Sequence, residues 1–315
     1  MTTAVTPYVE NDFHLAPEAR RAAVWRRLFG PGQWPMTLFL LVWFVIVLIP
    51  LGGLVVYSFF ETKSFFTVYE LSFNTWISIF ESGRFEVTLR TLRIAMTVTV
   101  IELLIAFPFA LWLSKGSASK TIKAVVLALL TIPFFLDLSS RTIIWRAILG
   151  ENGLINFSLM SLGLIAQPLR GMLYTEWSVH FGMLITYFPT MVLPIYMGIN
   201  VIDDTLIDAS NDLGGTPVQT LTHVVIPLSL PGVIAGVVFT LGPALAAWVE
   251  PSMLGGGFVN LLSNSIESAY TALKYPVVAA LSSLIILLLA VLVAGLALVS
   301  RRFGDLSSAF RVLKG

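Results

Sequence analysis

The chain has 315 residues, of which 57% are hydrophobic and only 12% are charged. Soluble globular domains carry about 25% charged residues, so this composition is typical of a membrane protein and excludes an ordinary soluble domain. The formal net charge of +1 argues against a broad nucleic-acid surface, and the absence of cysteine excludes disulfides, thiolate metal sites and cysteine nucleophiles.

Residues 1–35 are predicted to form a cytoplasmic N-terminal tail. They contain no apolar run and carry three acidic residues, which is unlike a signal peptide. Between Leu15 and Phe29, apolar residues alternate with arginines. This stretch is either an amphipathic elbow lying on the inner leaflet or a solvated tail whose basic residues hold the topology.

Residues 36–300 are predicted to form an all-α, polytopic membrane domain with six transmembrane helices. A span needs about 20 mostly apolar residues to cross roughly 30 Å of hydrocarbon. Helices are required because lipid cannot hydrogen-bond to an open backbone. The segments that satisfy these conditions are 36–58, 90–113, 122–143, 178–199, 231–250 and 276–300.

The distribution of lysine and arginine predicts the orientation of these spans. The N-terminal tail, the loop after the second span and the tail 301–315 together carry 11 of the 19 basic residues. Cytoplasmic segments are enriched in such residues. We therefore expect a multi-pass membrane protein with both termini in the cytoplasm.

The loop between the fourth and fifth spans, residues 201–230, is predicted to be cytoplasmic and to contain two short helices. Its first helix has an apolar stripe at i, i+3, i+4 and i+7 and an acidic opposite face. The stripe is Leu206, Ala209, Ser210 and Leu213, and the acidic residues are Asp204, Asp208 and Asp212. Gly214 and Gly215 are expected to end this helix, and Pro217 to begin the next. Pro227 and Pro231 are expected to stop the second helix and start the fifth span.

A short helix of this kind is poorly stable alone, and insertion into a groove on a partner would stabilise it. Because the loop connects two spans, such a contact would transmit the motion of a soluble partner into the membrane.

This loop resembles the signature loop of permease subunits in binding-protein-dependent ABC importers. That family shows a Glu-Ala-Ala start, a Gly six residues after the Glu, and an Ile-x-Leu-Pro end. The matching positions here are Asp208, Ala209, Ser210, Gly214, Val224, Ile226 and Pro227. Asp208 stands for the family glutamate and keeps its charge with a reach shorter by one methylene, and Ser210 stands for the second alanine.

Two further segments, 141–156 and 242–256, resemble the polyamine and opine branch of these permeases. The resemblance extends over roughly residues 85–300 and implies a MetI-like permease fold in the bacterial inner membrane. It also implies a small, polar, nitrogenous solute. The implied partners are a second permease chain or a second copy, two ATPase subunits that carry ATP and Mg, and an extracytoplasmic solute-binding protein. The outer segment 152–177 is expected to contact that binding protein.

Ionisable and aromatic side chains within the spans are candidates for a solute pathway. The candidates are Glu102, Asp137, Arg141, Tyr187, Trp248 and Glu250. Each has an alternative role. Glu102 is otherwise an interhelix hydrogen-bonding group, Asp137 a partner of Arg141 at i, i+4, and Glu250 a solvated group at the outer interface. Tyr187 is otherwise a packing residue, and Trp248 is expected to add a cation–π contact beside Glu250.

The sequence contains no phosphate-binding loop, no HExxH and no GxSxG. We therefore assign no catalytic residues, no metal site and no cofactor to this chain. Two alternatives stay open: an ion-coupled secondary transporter that uses intramembrane carboxylates such as Glu102, and a membrane enzyme with an intramembrane acid site. Neither explains the pattern from Asp208 to Pro227.

Overall fold

The computed structural model describes residues 34–63 and 66–303. The surface helix predicted over 15–29 and nearly all of the tail 301–315 lie outside these residues. The chain divides into two compact units, residues 1–57 and 58–315.

The described part of the first unit is one helix, α1, which spans Trp34–Tyr57 and contains Pro50. It is apolar all round, and none of its residues is buried. A helix that is hydrophobic on every side without a buried face is typical of a membrane span.

The second unit is helical except for one small hairpin among its described residues. Its elements are β1 (Glu61–Lys63), β2 (Phe66–Val68), α2 (Asn74–Glu81), α3 (Arg84–Lys115), α4 (Lys120–Thr131), α5 (Leu138–Leu149), α6 (Leu154–Ser161), α7 (Glu176–Asn200), α8 (Asp204–Asp212), α9 (Pro217–Thr220), α10 (Ile226–Leu245), α11 (Val249–Leu254), α12 (Leu262–Thr271) and α13 (Tyr275–Phe303). The two strands are antiparallel, with Glu61 opposite Val68. The hairpin was not predicted.

The helices confirm an all-α polytopic membrane fold. The helices that are long and apolar enough to cross a membrane are α1, α3, α7, α13 and the continuous stretch Pro217–Leu245. A sixth span exists only if the bent pair Lys120–Phe135 and Leu138–Ser161 crosses as one unit.

The third predicted span, 122–143, is not one continuous helix. Helix α4 ends at Thr131 and passes into a 3₁₀ turn, Ile132–Phe135, which contains Pro133. The chain is then extended at Asp137, where α5 begins, and the two halves meet at 104°. The window of apolar residues is continuous, but Pro133 and the capping side chain of Asp137 impose separate helices.

The fifth span differs from its prediction at both ends. Pro227 and Pro231 do not stop a helix, because a π-helical turn, Leu221–Val225, joins α9 to α10 without a break. The helix ends at Leu245 rather than at 250, and Glu250 belongs to the separate short helix α11. Neighbouring helices and local π geometry accommodate prolines of this kind within membrane helices.

Helices α3, α7 and α10 form the centre of the second unit. Toward one end they bury Ile94, Met183 and Leu245 together, and toward the other they bury Ala110, Ile195 and Ile199 with neighbouring apolar residues. This three-helix core carries both the loop 201–230 and the polar side chains described below.

Glycines bring α7 and α10 into direct backbone contact. A Cβ at Gly232 would lie 2.5 Å from the Pro194 carbonyl oxygen, and a Cβ at Gly236 would lie 2.9 Å from that of Met191. Gly198 of α7 faces Gly232, since a Cβ there would lie 3.0 Å from the Gly232 Cα. Small residues at this spacing allow membrane helices to approach closely and to gain van der Waals contact.

Candidate functional site

The first helix of the loop 201–230, which we call the coupling loop, begins at a side-chain cap. Asp203 is extended, and its Oδ1 accepts a hydrogen bond from the Thr205 N–H at 3.0 Å. This bond holds the pKa of the Asp203 carboxyl below its usual value, and the charge of Lys115 lowers it further. The cap fixes the point at which α8 leaves α7.

Two glycines end α8, as predicted. Gly214 has φ +79°, a conformation that side chains rarely adopt. A Cβ at Gly215 would lie 2.7 Å from the Ser210 carbonyl oxygen, to which the Gly215 N–H donates at 2.9 Å. Both positions therefore require glycine.

The second helix also starts at Pro217, as predicted, and Thr216 caps it. The Thr216 N–H donates to Gln219 Oε1 at 2.8 Å, and the Gln219 N–H donates to Thr216 Oγ1 at 3.3 Å. This reciprocal arrangement is a capping box. The Ser210 and Thr220 hydroxyls, 2.8 Å apart, connect the two helices.

The predicted apolar stripe lines one surface groove of about 430 Å³. Its lining residues are Leu206, Ala209, Ser210, Leu213, Gly215, Gln219, His223 and Val224. The Leu213 residue at the end of the stripe is 90% exposed. Leu206, Ala209 and Leu213 are all exposed along this one groove, and together they form an apolar surface that a partner can cover.

The three aspartates on the acidic face of α8 differ in their contacts. Lys115 Nζ lies 2.6 Å from Asp204 Oδ1 and also donates to the Ile202 carbonyl oxygen. Asp208 and Asp212 are exposed, and neither forms an ion pair with any residue that the structure describes. Asp204 thus attaches the loop to α3, while the other two carboxylates are available to a partner.

Glu102 is buried in the middle of α3, with 1% of its surface exposed. The Thr240 hydroxyl of α10 interacts with it electrostatically, but neither carboxylate oxygen has a hydrogen bond of acceptable geometry among the described residues. Glu102 therefore lies beside a polar side chain of another helix, and its alternative role as an interhelix hydrogen-bonding group stays a prediction.

Glu250 is fully buried, so the alternative of a solvated interfacial group is wrong. Its helix, α11, packs against α7 at Gly182, where a Cβ would lie 3.5 Å from Glu250 Cγ. Neither Glu250 oxygen has a hydrogen bond within the described part of the chain. Arg141 is close enough for its charge to act on this carboxyl.

Tyr187 of α7 lies between these groups. Its hydroxyl donates a long hydrogen bond, 3.4 Å, to the Pro243 carbonyl oxygen. The phenol is within electrostatic range of Glu102, Glu250 and Arg141. Four of the six candidate pathway residues therefore lie within electrostatic range of one another around Tyr187, and we call them the polar cluster; three are buried and Arg141 is half-buried.

Asp137 and Trp248 lie outside that cluster. Asp137 caps α5, where its Oδ2 accepts from the Ser140 N–H at 3.0 Å, and the predicted ion pair with Arg141 does not form. Trp248 lines a separate cavity with Glu267 and Tyr270, and Glu250 is not part of its wall. The structure thus places Trp248 and Glu250 on different surfaces, and the cation–π contact of Trp248 with a solute cation held beside Glu250 stays a prediction.

Sequence reasoning missed the contact surface that anchors the loop. Gly232 and Gly236 form a G-x-x-x-G motif at the start of α10, and this motif was the available signal.

Sequence reasoning also missed Tyr174, a non-glycine residue at φ +62°. Its N–H donates to the Leu254 carbonyl oxygen at 2.8 Å, and its hydroxyl accepts from Arg146 at 3.1 Å.

Comparison with known families identifies the class of protein. The family described as "Binding-protein-dependent transport system inner membrane component" matches residues 106–305, which include the coupling loop and most of the polar cluster. This chain belongs to that family. It is therefore a permease subunit of an ABC importer and not an enzyme, and the comparisons give no support to an ion-coupled transporter.

Individual proteins agree with this assignment. The chain is 31% identical over 205 residues to "Spermidine/putrescine transport system permease protein PotB" of Haemophilus influenzae, covering 65% of this chain and 71% of that protein. A solved bacterial ABC transporter involved in import of the acidic polysaccharide alginate has the same fold, with a TM-score of 0.67 and 20% identity over 91% of this chain and 100% of the matched chain. The alginate transporter in complex with a pentasaccharide-bound periplasmic protein matches with a TM-score of 0.66 and 20% identity, over 90% of this chain and 96% of the matched one.

Within the described residues, no group of three or more His, Asp or Glu side chains is arranged to hold a metal ion. The candidate site consists of an exposed groove at the loop and of buried carboxylates between the helices.

Proposed function

We propose that this permease subunit imports a small, polar, nitrogenous solute of the polyamine or opine type. ATP and Mg bind to a separate pair of ATPase subunits that dock on the coupling loop. The observation that carries the proposal is the groove beside the exposed Leu213, on a loop whose two ends continue into α7 and α10.

The loop is suited to transmit force because it is attached to the core at several points. Lys115 binds it to α3, and the glycine contact between Gly198 and Gly232 joins the helices on either side of it. A push on the groove would therefore move α7 and α10 together. Closure of the ATPases would reorient these spans around the polar cluster.

The polar cluster favours a cationic solute. Glu102 and Glu250 are buried carboxylates without hydrogen bonds in the described structure, and a buried charge is costly unless it is paired. An ammonium group passing Tyr187 would provide the missing partner. Arg141, whose buried Nε also has no hydrogen bond to a described residue, favours a solute that carries an anionic group as well.

The assembly that we propose contains a second permease chain, either different or identical, and an extracytoplasmic binding protein that delivers the solute. Both termini and the coupling loop lie in the cytoplasm of this inner-membrane protein. The segment 152–177 faces the binding protein. The relative that transports spermidine and putrescine supports the solute class.

The absence of native cysteine permits a direct test of docking. A single cysteine in place of Ala209 in the groove should cross-link to the ATPase in membranes. A cysteine in place of Leu162, which is also exposed but lies in the proposed outer segment, should not. Equal cross-linking at both positions, or cross-linking only at 162, would contradict the proposed docking and orientation.

Uptake of radiolabelled putrescine, in cells that lack their own polyamine uptake, tests the solute and the energy source. Expression of this chain with its partners should restore uptake, and ATP depletion should stop it. If uptake survives ATP depletion but ends on addition of an uncoupler, the ATP-driven mechanism is refuted.

A further inference from the structure

A second acidic position lies outside the buried cluster. A surface cavity of about 460 Å³ is formed by the end of α10, by α12 and by α13. Its wall includes Trp248, Ser263, Ile266, Glu267, Tyr270 and Val278. Its size is within the range of small-molecule sites in proteins.

The cavity combines two aromatic rings with one carboxylate on an otherwise apolar surface. Glu267 and Tyr270 are one turn apart on α12, so they share a face. Trp248 is 47% exposed and Tyr270 is 60% exposed, which leaves their rings accessible. Glu267 forms no ion pair with any side chain in the described ranges.

The elements that carry these side chains are tied to one another. Asn264 of α12 donates from Nδ2 to Ser252 Oγ at 2.7 Å and to the Trp248 carbonyl oxygen at 3.4 Å. Its Oδ1 accepts from the Leu261 N–H at 3.1 Å. The connection that bears Trp248 is therefore fixed to the helix that bears Glu267, and the cavity exists before any ligand arrives.

We propose that this cavity binds an alkylammonium group. The Glu267 carboxylate neutralises the cation, and the faces of Trp248 and Tyr270 attract it by cation–π interaction. The apolar wall, which includes Ile266 and Val278, receives the methylene groups attached to the nitrogen. A polyamine has both parts, a cation and a methylene chain, so the identification of the ligand with the solute rests on the proposed function.

Two sources could supply this chemistry: the free solute, or the ethanolamine headgroup of a membrane lipid. Both place a primary ammonium next to methylene groups. The cavity lies apart from Glu250, so a solute that binds here occupies a position additional to the buried cluster.

The test is a titration of the purified full chain, in detergent micelles without lipid, with putrescine by calorimetry. Wild type should bind. Glu267→Gln and Trp248→Ala should each weaken binding about tenfold or more, whereas Trp248→Phe should retain most of it because an aromatic face remains. Glu81→Gln is the matched control, since it removes one exposed glutamate in α2, which is not part of the cavity wall. This variant should bind putrescine as wild type does. Thermal unfolding of each variant shows whether it is folded.

The same titration in nanodiscs separates the two sources. If phosphatidylethanolamine occupies the cavity, putrescine should bind more weakly in its presence than in phosphatidylglycerol alone. If the cavity selects the free solute, binding should be equal in the two lipids. The proposal is overturned if wild type does not bind putrescine in micelles, or if folded Glu267→Gln and Trp248→Ala bind it as wild type does. If cells take up putrescine and these variants still bind it as wild type does, the cavity is excluded as its binding site and the proposed function stands.

Discussion

The contact between Gly232 and α7 is sensitive to a single methyl group. In Gly232→Ala the new Cβ would lie 2.5 Å from the Pro194 carbonyl oxygen and 2.9 Å from the Gly198 Cα. Both neighbours are backbone atoms, and real Cβ atoms stay beyond about 3.0 Å of such atoms. The two helices must therefore separate locally by on the order of half an ångström, since a packed interior cannot absorb the overlap.

Overpacking of this kind costs about 1–3 kcal/mol. Replacing a helical glycine by alanine returns about 1 kcal/mol through helix propensity, so we expect a net loss of about 0–2 kcal/mol in the free energy of unfolding. The larger effect should be on coupling. The separation occurs where α7 and α10 leave the coupling loop, so the loop no longer moves both helices together.

Gly242→Ala in the same helix is the matched control. A Cβ at Gly242 would meet its nearest neighbour, a Leu289 methyl group, at 3.9 Å, which is ordinary contact. This variant should unfold at or above the wild-type temperature and transport normally. The assays are thermal unfolding in detergent, and ATP hydrolysis and putrescine uptake by the reconstituted complex. If the Gly232 and Gly242 variants behave alike in all three assays, the close backbone contact at Gly232 does not couple α7 and α10 to the loop.

Three further predictions concern the loop and the buried cluster. Leu213→Asp should reduce co-purification of the ATPase about tenfold or more, equal to about 1.4 kcal/mol of binding free energy, without affecting insertion. The pKa of Asp203 is lowered on folding. The stabilisation that its carboxylate gives to α8 is therefore complete above the usual pKa, near 3.8, and is lost as the pH falls through the lower pKa of the folded state. Hydrogen exchange of residues 204–212 should show this loss of protection, and Asp203→Asn should abolish the pH dependence while keeping the cap. Glu250→Gln should raise the unfolding temperature, because it removes a buried carboxylate without hydrogen bonds, and should slow uptake of a cationic solute.

Each of these predictions has a contrary outcome. Val218→Asp changes an exposed residue outside the wall of the groove and should leave ATPase binding intact. Equal losses of binding at positions 213 and 218 would show that the groove is not the docking site. Protection of α8 that stays constant in wild type as the pH is lowered from above the usual pKa of Asp203, near 3.8, to well below it would refute the role of the Asp203 cap. Unchanged uptake kinetics in Glu250→Gln would remove that residue from the pathway.

The start and end of α8 and the start of α9 could be predicted because they are encoded locally. The Asp203 cap, the positive φ at Gly214 and the Thr216–Gln219 box each depend on neighbours within a few positions. The resemblance to importer permeases supplied the role that these short-range patterns cannot give alone.

The membrane part was predicted less well because long-range packing decides it. A window of apolar residues located the third span but concealed the cap at Asp137, which divides it. The prolines at 227 and 231 indicated a helix end, yet contact with α7 and a π-helical turn maintain the helix. The proximity of Trp248 and Glu250 was inferred from adjacency in sequence, whereas α10 ends at Leu245 and the cavity wall that contains Trp248 does not include the buried Glu250.

The 104° bend between α4 and α5 has a consequence for the isolated chain. Phe134, Phe135 and Leu136 at this bend are all exposed, and the backbone there is not α-helical. Hydrocarbon cannot solvate peptide groups, so irregular backbone at membrane depth persists only beside other protein or water. A single copy surrounded by lipid would thus expose irregular backbone to hydrocarbon. Contact with another subunit would be needed to cover that backbone.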